Sequence, residues 1–211
     1  RSMGIEALDK VAGTCTEKIP AAGAENEIDM IGPLGNGFQI PPALGRCYLV
    51  AGGIGVAPMV FLGQRLIAAG ISPQSCRVFL GGQSTQDLLC REDFENLKFA
   101  VHLTTDDGTS GEQCLVTDPV AMAVQHTCPE LIYACGPPEM LKCVAGIAAH
   151  PINSPAGTGV TLGSGVGVSQ QAKLSMRSTY NCAIKRASII VIDPSQLTSA
   201  ISAAGQLIRL T

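Results

Sequence analysis

No apolar run in this chain of 211 residues is long enough to cross a bilayer, so no transmembrane helix is expected. No signal peptide opens the sequence, and a cytoplasmic location is expected. Positive charge is not in excess either. The net charge of -3 gives no reason to expect nucleic acid or an anionic membrane as a partner. The nine cysteines include no Cys-x-x-Cys pair. That absence argues against a zinc site and a disulfide framework, and the cysteines read as thiols of a reducing cytosol. His102, His126 and His150 lie far apart and flank no metal motif, so they read as ordinary surface or core histidines. There is no internal repeat. The chain leads with Arg1 instead of Met, which suggests a fragment or a processed start. Its length suits one large domain or two small ones, with ample core either way.

What is present is concentrated in two motifs. The first is Cys47-Tyr48-Leu49-Val50-Ala51-Gly52-Gly53-Ile54-Gly55-Val56-Ala57-Pro58-Met59. Its apolar run predicts a parallel strand covered on both faces. Gly52, Gly53 and Gly55 allow a sharp turn and close approach of a ligand to the backbone. Pro58 suits the first turn of a following helix, expected to run to about Ala69, because its missing N–H costs nothing there. A helix start beside bare amides suits a diphosphate, with Gly52, Gly53, Gly55, Val56, Ala57 and Pro58 as the candidate residues. The second motif is Leu131-Ile132-Tyr133-Ala134-Cys135-Gly136-Pro137-Pro138-Glu139-Met140-Leu141. It again reads strand, Gly-Pro turn, helix, with Met140, Leu141, Val144 and Ile147 on one helical face. Either motif alone is also what a plain strand-to-helix connection looks like; the two together, in this order, are more specific.

The rest of the chain fits around them. Residues 1–46 are short, β-like and rich in turn signals. Strands are expected at 47–51, 76–81, 99–104 and 131–135, with helices from Pro58, Thr85, Thr117 and Pro138. This alternation predicts a parallel sheet with helices on both faces and a ligand at the carboxyl ends of the strands. Residues 151–176, rich in Gly, Ser and Thr, read as loop. One more strand is expected at 187–192, and a helix at 196–210 after Asp193-Pro194-Ser195.

The pair Gly-Gly-x-Gly-x-Ala-Pro at 52–58 and Tyr-Ala-Cys-Gly-Pro-x-x-Met-Leu at 133–141 resembles the pyridine-nucleotide half of the ferredoxin–NADP reductase superfamily. The segment Ile28-Asp29-Met30-Ile31-Gly32-Pro33-Leu34-Gly35-Asn36-Gly37-Phe38 narrows the likeness. It is similar to the end of the flavin barrel in the electron-transfer subunits of type B dihydroorotate dehydrogenase. Val78-Phe79-Leu80-Gly81-Gly82-Gln83 and Thr104-Thr105-Asp106-Asp107-Gly108 fit the same family. The likeness is good from about residue 28 to residue 148 and poor on either side.

The resemblance implies an α/β fold: a doubly wound parallel-sheet nucleotide domain behind a partial antiparallel flavin-type β-barrel. The barrel remnant would be 1–46, the NAD-binding domain 47–150, a degenerate iron–sulfur loop region 151–190, and a strand or helix tail 191–211. The implied function is electron transfer from NADH via FAD to the catalytic subunit of dihydroorotate dehydrogenase in pyrimidine biosynthesis. Gly136, Pro137 and Met140 would lie at the nicotinamide end, with Cys135 beside the ring or an inert buried thiol. Asp106 and Asp107 would touch the adenine ribose or the nicotinamide side, or form a solvated turn.

Two departures from the family bear on function. FAD in these proteins is held by an Arg-x-x-Ser element, whose place here is taken by Arg1, Ser2, Met3 and Gly4, so the hydroxyl is lost. A later Gly-Thr element is missing or reduced to Cys15-Thr16. The family also carries a [2Fe–2S] cluster on a loop Cys-Gly-x-Gly-x-Cys-x-x-Cys, with a fourth Cys beyond it. The corresponding positions here are Ser164, Ser169, Ala172 and Ser188, none of which is a thiol. A plain Gly/Ser loop remains open beside the reading of a decayed cluster loop. Two rival readings of function also stand. One is another subunit of the superfamily, of the sulfide dehydrogenase or NADH–ferredoxin reductase type. The other is a degenerate paralogue that moves no electrons.

Overall fold

The computed structural model describes residues 4–5, 8, 38–149, 160–163, 187–190 and 209–210. Strand β1 is Gly4–Ile5, β2 is Cys47–Gly52, β3 is Cys76–Gly82, β4 is Ala100–Thr105 and β5 is Leu131–Cys135. Helix α1 is Val56–Ala68, α2 is Arg91–Asn96, α3 is Thr117–His126 and α4 is Pro138–Ala149. Three short strands follow: β6 at Val160–Gly163, β7 at Ala187–Ile190 and β8 at Arg209–Leu210.

The central sheet has four parallel strands in the order β4-β3-β2-β5. Residue type accounts for the order of burial. All six residues of β2 are buried, because the strand has a neighbour on each edge and a helix layer on each face. Its side chains alternate between the two layers. Cys47, Leu49 and Ala51 join the cluster with Met59, Leu62 and Leu66 of α1 and Phe94 of α2. Tyr48 and Val50 join the cluster with Val120 and Val124 of α3 and Leu141 and Val144 of α4. Each large apolar side chain buried this way contributes about 1.5–3 kcal/mol relative to exposure. The domain is therefore doubly wound, as its alternating strands and helices predict.

Two hydroxyls tie elements that periodicity cannot link. The Tyr48 hydroxyl donates to the Thr127 carbonyl at 2.5 Å and lies 3.2 Å from the Ala123 carbonyl, at the carboxyl end of α3. The Tyr133 hydroxyl donates to the Gln39 carbonyl at 2.9 Å, and its ring meets Phe38 edge-on at 5.7 Å.

Several expectations are corrected. The helix from Thr85 is a single 3-10 turn, Thr85–Asp87, and α2 begins only at Arg91. A reciprocal Ser84–Asp87 capping box closes the turn, and Cys90 then takes a left-handed φ of 56° that restarts the chain direction. The loop read at 151–176 contains β6, which pairs in parallel with β7. The end of the helix expected at 196–210 is instead β8, paired with β1 from the opposite end of the chain. Such long-range pairing leaves no local periodic signal. The described ladders are all parallel, and the barrel expected at 1–46 falls mainly outside the described residues. Among the described residues no helix is long and apolar enough to cross a membrane.

Candidate nucleotide site

The two sequence motifs meet at the carboxyl edge of the sheet. Parallel register sets Ala51 of β2 opposite Cys135 of β5, and Gly52 opposite Gly81 of β3. Strand order reverses between β2 and β5, so the turns after these strands diverge to opposite faces and leave a crevice at their start.

The glycines have distinct jobs there. Gly53 has a φ of +53°, and a Cβ at that position would meet no protein atom within 4 Å. The backbone needs the left-handed conformation, and the space beside it is open to a ligand. Gly55 is the reverse case. A Cβ there would lie 2.6 Å from the Cys135 carbonyl carbon and 2.8 Å from the Gly136 nitrogen. The first turn thus packs directly on the backbone of the second. Gly136 answers it, since its Cβ would lie 3.0 Å from the Gly52 nitrogen. Met140 closes over both: its Sδ would be 2.8 Å from a Cβ on Gly52, and its Cε 2.6 Å from a Cβ on Gly136. Pro137, whose Cδ would be 2.9 Å from the Gly52 Cβ, completes the contact.

Helix α1 starts here without a side-chain cap and without an acidic residue in its first turn. The positive end of its dipole is therefore left for a ligand's negative charge. The Val56 amide bonds back to the Gly53 and Ile54 carbonyls, and Ala57 and Pro58 sit half-buried in the first turn. Val56 itself is buried.

A third turn joins the same edge. The Asp106 and Asp107 amides donate to the Gly82 and Gln83 carbonyls, each at 3.1 Å, so the Asp-Asp-Gly loop after β4 is fastened to the end of β3. The Asp107 carboxylate accepts from the Thr109 hydroxyl at 2.6 Å and the Thr109 amide at 2.9 Å. Those bonds, the hydroxyl first, hold Asp107 below the usual carboxylate range. Asp107 is thus turned back on its own loop, while the Asp106 side chain is exposed. Gly81-Gly82 enters the sequence analysis as part of the family likeness and not as a binding turn, although a Gly pair closing an apolar strand is the signal already seen at Gly52-Gly53.

Cys135 is 2% exposed and belongs to the cluster beneath α1. Cys47, Cys76, Cys90, Cys114 and Cys143 are thiols outside any disulfide. The reading of every cysteine as a thiol is corrected at Cys128, which is disulfide-bonded; a Cys-x-x-Cys scan is blind to pairs remote in sequence. Of the flavin residues, Gly4 lies in β1; Arg1, Ser2, Met3 and Thr16 lie outside the described residues. Of the cluster positions, Ser188 lies in β7, in register with Thr161; Ser164, Ser169 and Ala172 lie outside the described residues. Among the described residues no three His, Cys, Asp or Glu side chains gather as a metal site.

A doubly wound sheet with two glycine turns back to back at its switch point defines a dinucleotide-binding domain, and the oxidoreductase NAD-binding domain family matches residues 49–146. The chain belongs to the ferredoxin–NADP reductase superfamily. It is 36% identical over 157 residues to the dihydroorotate dehydrogenase B (NAD(+)) electron transfer subunit of Listeria welshimeri, a match covering 68% of this chain and 59% of that one. The subunit of the same description from Desulforamulus reducens is 34% identical over 71% of this chain and 56% of its own length. The chain thus spans under two thirds of these curated relatives. Among solved structures, an NADH-dependent reduced ferredoxin-NADP oxidoreductase superposes with a TM-score of 0.58 at 26% identity, over 68% of this chain and 50% of that one.

Proposed function

We propose that this protein is the electron-transfer partner of a dihydroorotate dehydrogenase catalytic subunit in the cytoplasmic synthesis of pyrimidines, working with NAD and FAD. One observation carries the reading: the Gly52–Gly55 and Cys135–Gly136 backbones interlock at the switch point, beside an uncapped helix start, in a chain most of whose length resembles such subunits. When bound, the nicotinamide supplies or takes a hydride at a flavin. The chain's own residues bind and orient. Gly52, Gly53, Gly55, Val56, Ala57 and Pro58 form the diphosphate turn. Asp106 faces the adenine ribose. Cys135, Gly136, Pro137 and Met140 shape the nicotinamide end, and Arg1, Ser2, Met3, Gly4 and Thr16 serve the flavin. No side chain is needed as an acid or base, because the cofactors carry the chemistry.

Electron balance fixes the direction. A partner that oxidises dihydroorotate releases two electrons, so in that assembly the couple runs toward NAD(+), not from NADH as the sequence reading had it. The same site serves either direction.

The test is calorimetric titration with NADH of the parent protein and Gly53→Val. The parent is expected to bind and the variant to lose binding, since a branched side chain fills the open space beside residue 53 and strains its positive φ. Equal binding by both would put the site elsewhere. Mixing the chain with a dihydroorotate dehydrogenase catalytic subunit should then confer dihydroorotate-dependent reduction of NAD(+). A second reading, a subunit of the NADH–ferredoxin reductase type, is favoured by the structural match to the NADH-dependent oxidoreductase. It expects reduction of ferredoxin by NADH, with neither the catalytic subunit nor dihydroorotate present.

A further inference from the structure

The opposite edge of the sheet carries chemistry that the nucleotide site does not use. Cys47 opens β2, Cys76 opens β3, and the two are direct partners in the parallel register. Period-2 alternation puts both side chains on the same face, in the cluster under α1. Their sulfurs lie 3.0 Å apart and are hydrogen-bonded. Both residues are essentially out of contact with solvent, at 0% and 1% exposure. Neighbouring strands run about 4.8 Å apart, inside the roughly 4.4–6.8 Å between Cα atoms that a disulfide spans.

We infer that Cys47 and Cys76 form a reversible dithiol–disulfide couple that staples β2 to β3 at the amino edge of the sheet. In the forward step two S–H bonds break and one S–S bond forms. Two electrons and two protons pass to a hydroperoxide; with hydrogen peroxide its O–O bond breaks and two waters leave. A small-molecule dithiol returns the two electrons and restores both thiols.

The local electrostatics suit the step. The hydrogen bond between the two sulfurs holds the Cys76 thiol below the ordinary range, while that bond and then burial hold Cys47 above it. Cys76 is the sulfur that ionises first, and the thiolate is the reactive form. Burial admits only small oxidants and keeps bulky thiol reagents out of the folded protein. Cys143 is exposed and serves as the internal control.

The experiment treats the native protein with graded hydrogen peroxide, then denatures, alkylates and digests it for peptide mass spectrometry. The expected product is a cross-linked pair of the Cys47 and Cys76 peptides, short of two hydrogens and reopened by dithiothreitol. In Cys76→Ala, Cys47 should remain a free thiol at doses that close the pair in the parent. Free Cys47 and Cys76 at doses that oxidise Cys143 would overturn the inference, as would a bridge from Cys47 to another cysteine. If Cys76→Ala does not fold, mapping of the parent alone decides.

Discussion

Gly55 touches backbone on the side where any other residue carries a side chain. Its Cβ would overlap the Cys135 carbonyl group, and neither partner is a flexible side chain that can swing away. Gly55→Ala must therefore push the two nucleotide turns apart, at a cost of about 1–3 kcal/mol in stability. Thermal denaturation checks this, and an unchanged melting temperature would show that the turns have slack. Gly53 differs: open space beside it means that a substitution there harms the site through its ligand and its φ, not through a clash. A third residue, Asp106, tests the proposed preference for NADH. The Asp106 side chain is exposed on the rim, on a loop whose amide is fastened to Gly82. A carboxylate beside the ribose accepts from its 2′-hydroxyl and repels a 2′-phosphate. Asp106→Ala should weaken NADH about tenfold and leave NADPH little changed, narrowing their ratio by about tenfold, or about 1.4 kcal/mol. Comparing the two dissociation constants in parent and variant reads this directly, and an unchanged ratio would remove Asp106 from the ribose site.

At the scale of elements, β2 and β5 were legible almost to the residue, because strands covered on both faces must be apolar throughout. The helices after them were legible for a related reason, since each follows a glycine turn and buries one face. Helix α1 starts two residues ahead of Pro58, so the proline sits in the first turn and not at its head. The helix after β3 was placed too early, at Thr85 and not at Arg91. The apolar Leu88 and Leu89 follow Thr85, but the Ser84–Asp87 box tightens the turn and Cys90 reverses it. Both effects depend on backbone angles that composition does not report. Nor does a pattern search find the bond from Tyr48 near the head of β2 to the Thr127 carbonyl, just past the end of α3, where carbonyls have no partner further along the helix. Tyr48→Phe keeps the ring and removes the donor. It should cost about 0.5–1.5 kcal/mol and lower the melting temperature by a few degrees, with NADH affinity intact. A loss of NADH binding would mean that α3 reaches the site.

Across the whole molecule, the nucleotide half was readable because its signals are local: a strand, a turn, a helix start, repeated. The ends were legible only in part: the strand expected at 187–192 is present as β7, but β1 with β8 and β6 with β7 are pairings between distant stretches. The sequence at the cluster positions still makes a prediction for the intact protein. Ser164, Ser169, Ala172 and Ser188 offer hydroxyls and a methyl where a [2Fe–2S] centre needs thiolates. Protein reconstituted anaerobically with iron and sulfide should retain neither. Two irons per chain, with a paramagnetic signal on reduction, would show ligands of another origin.

The bond from Tyr133 to Gln39 has a practical consequence for where this polypeptide can be cut. Tyr133 lies three positions before Gly136, and its ring and hydroxyl grip Phe38 and Gln39. A protease nick on the amino side of Phe38 leaves that grip whole and should release a resistant fragment that still recognises NADH. A nick just past Gln39 strips the buried hydroxyl of its acceptor and one flank of the β5 strand of its aromatic cover. Fragments starting there should be digested further. Time-resolved limited proteolysis, with the termini read by mass spectrometry, would trace that boundary.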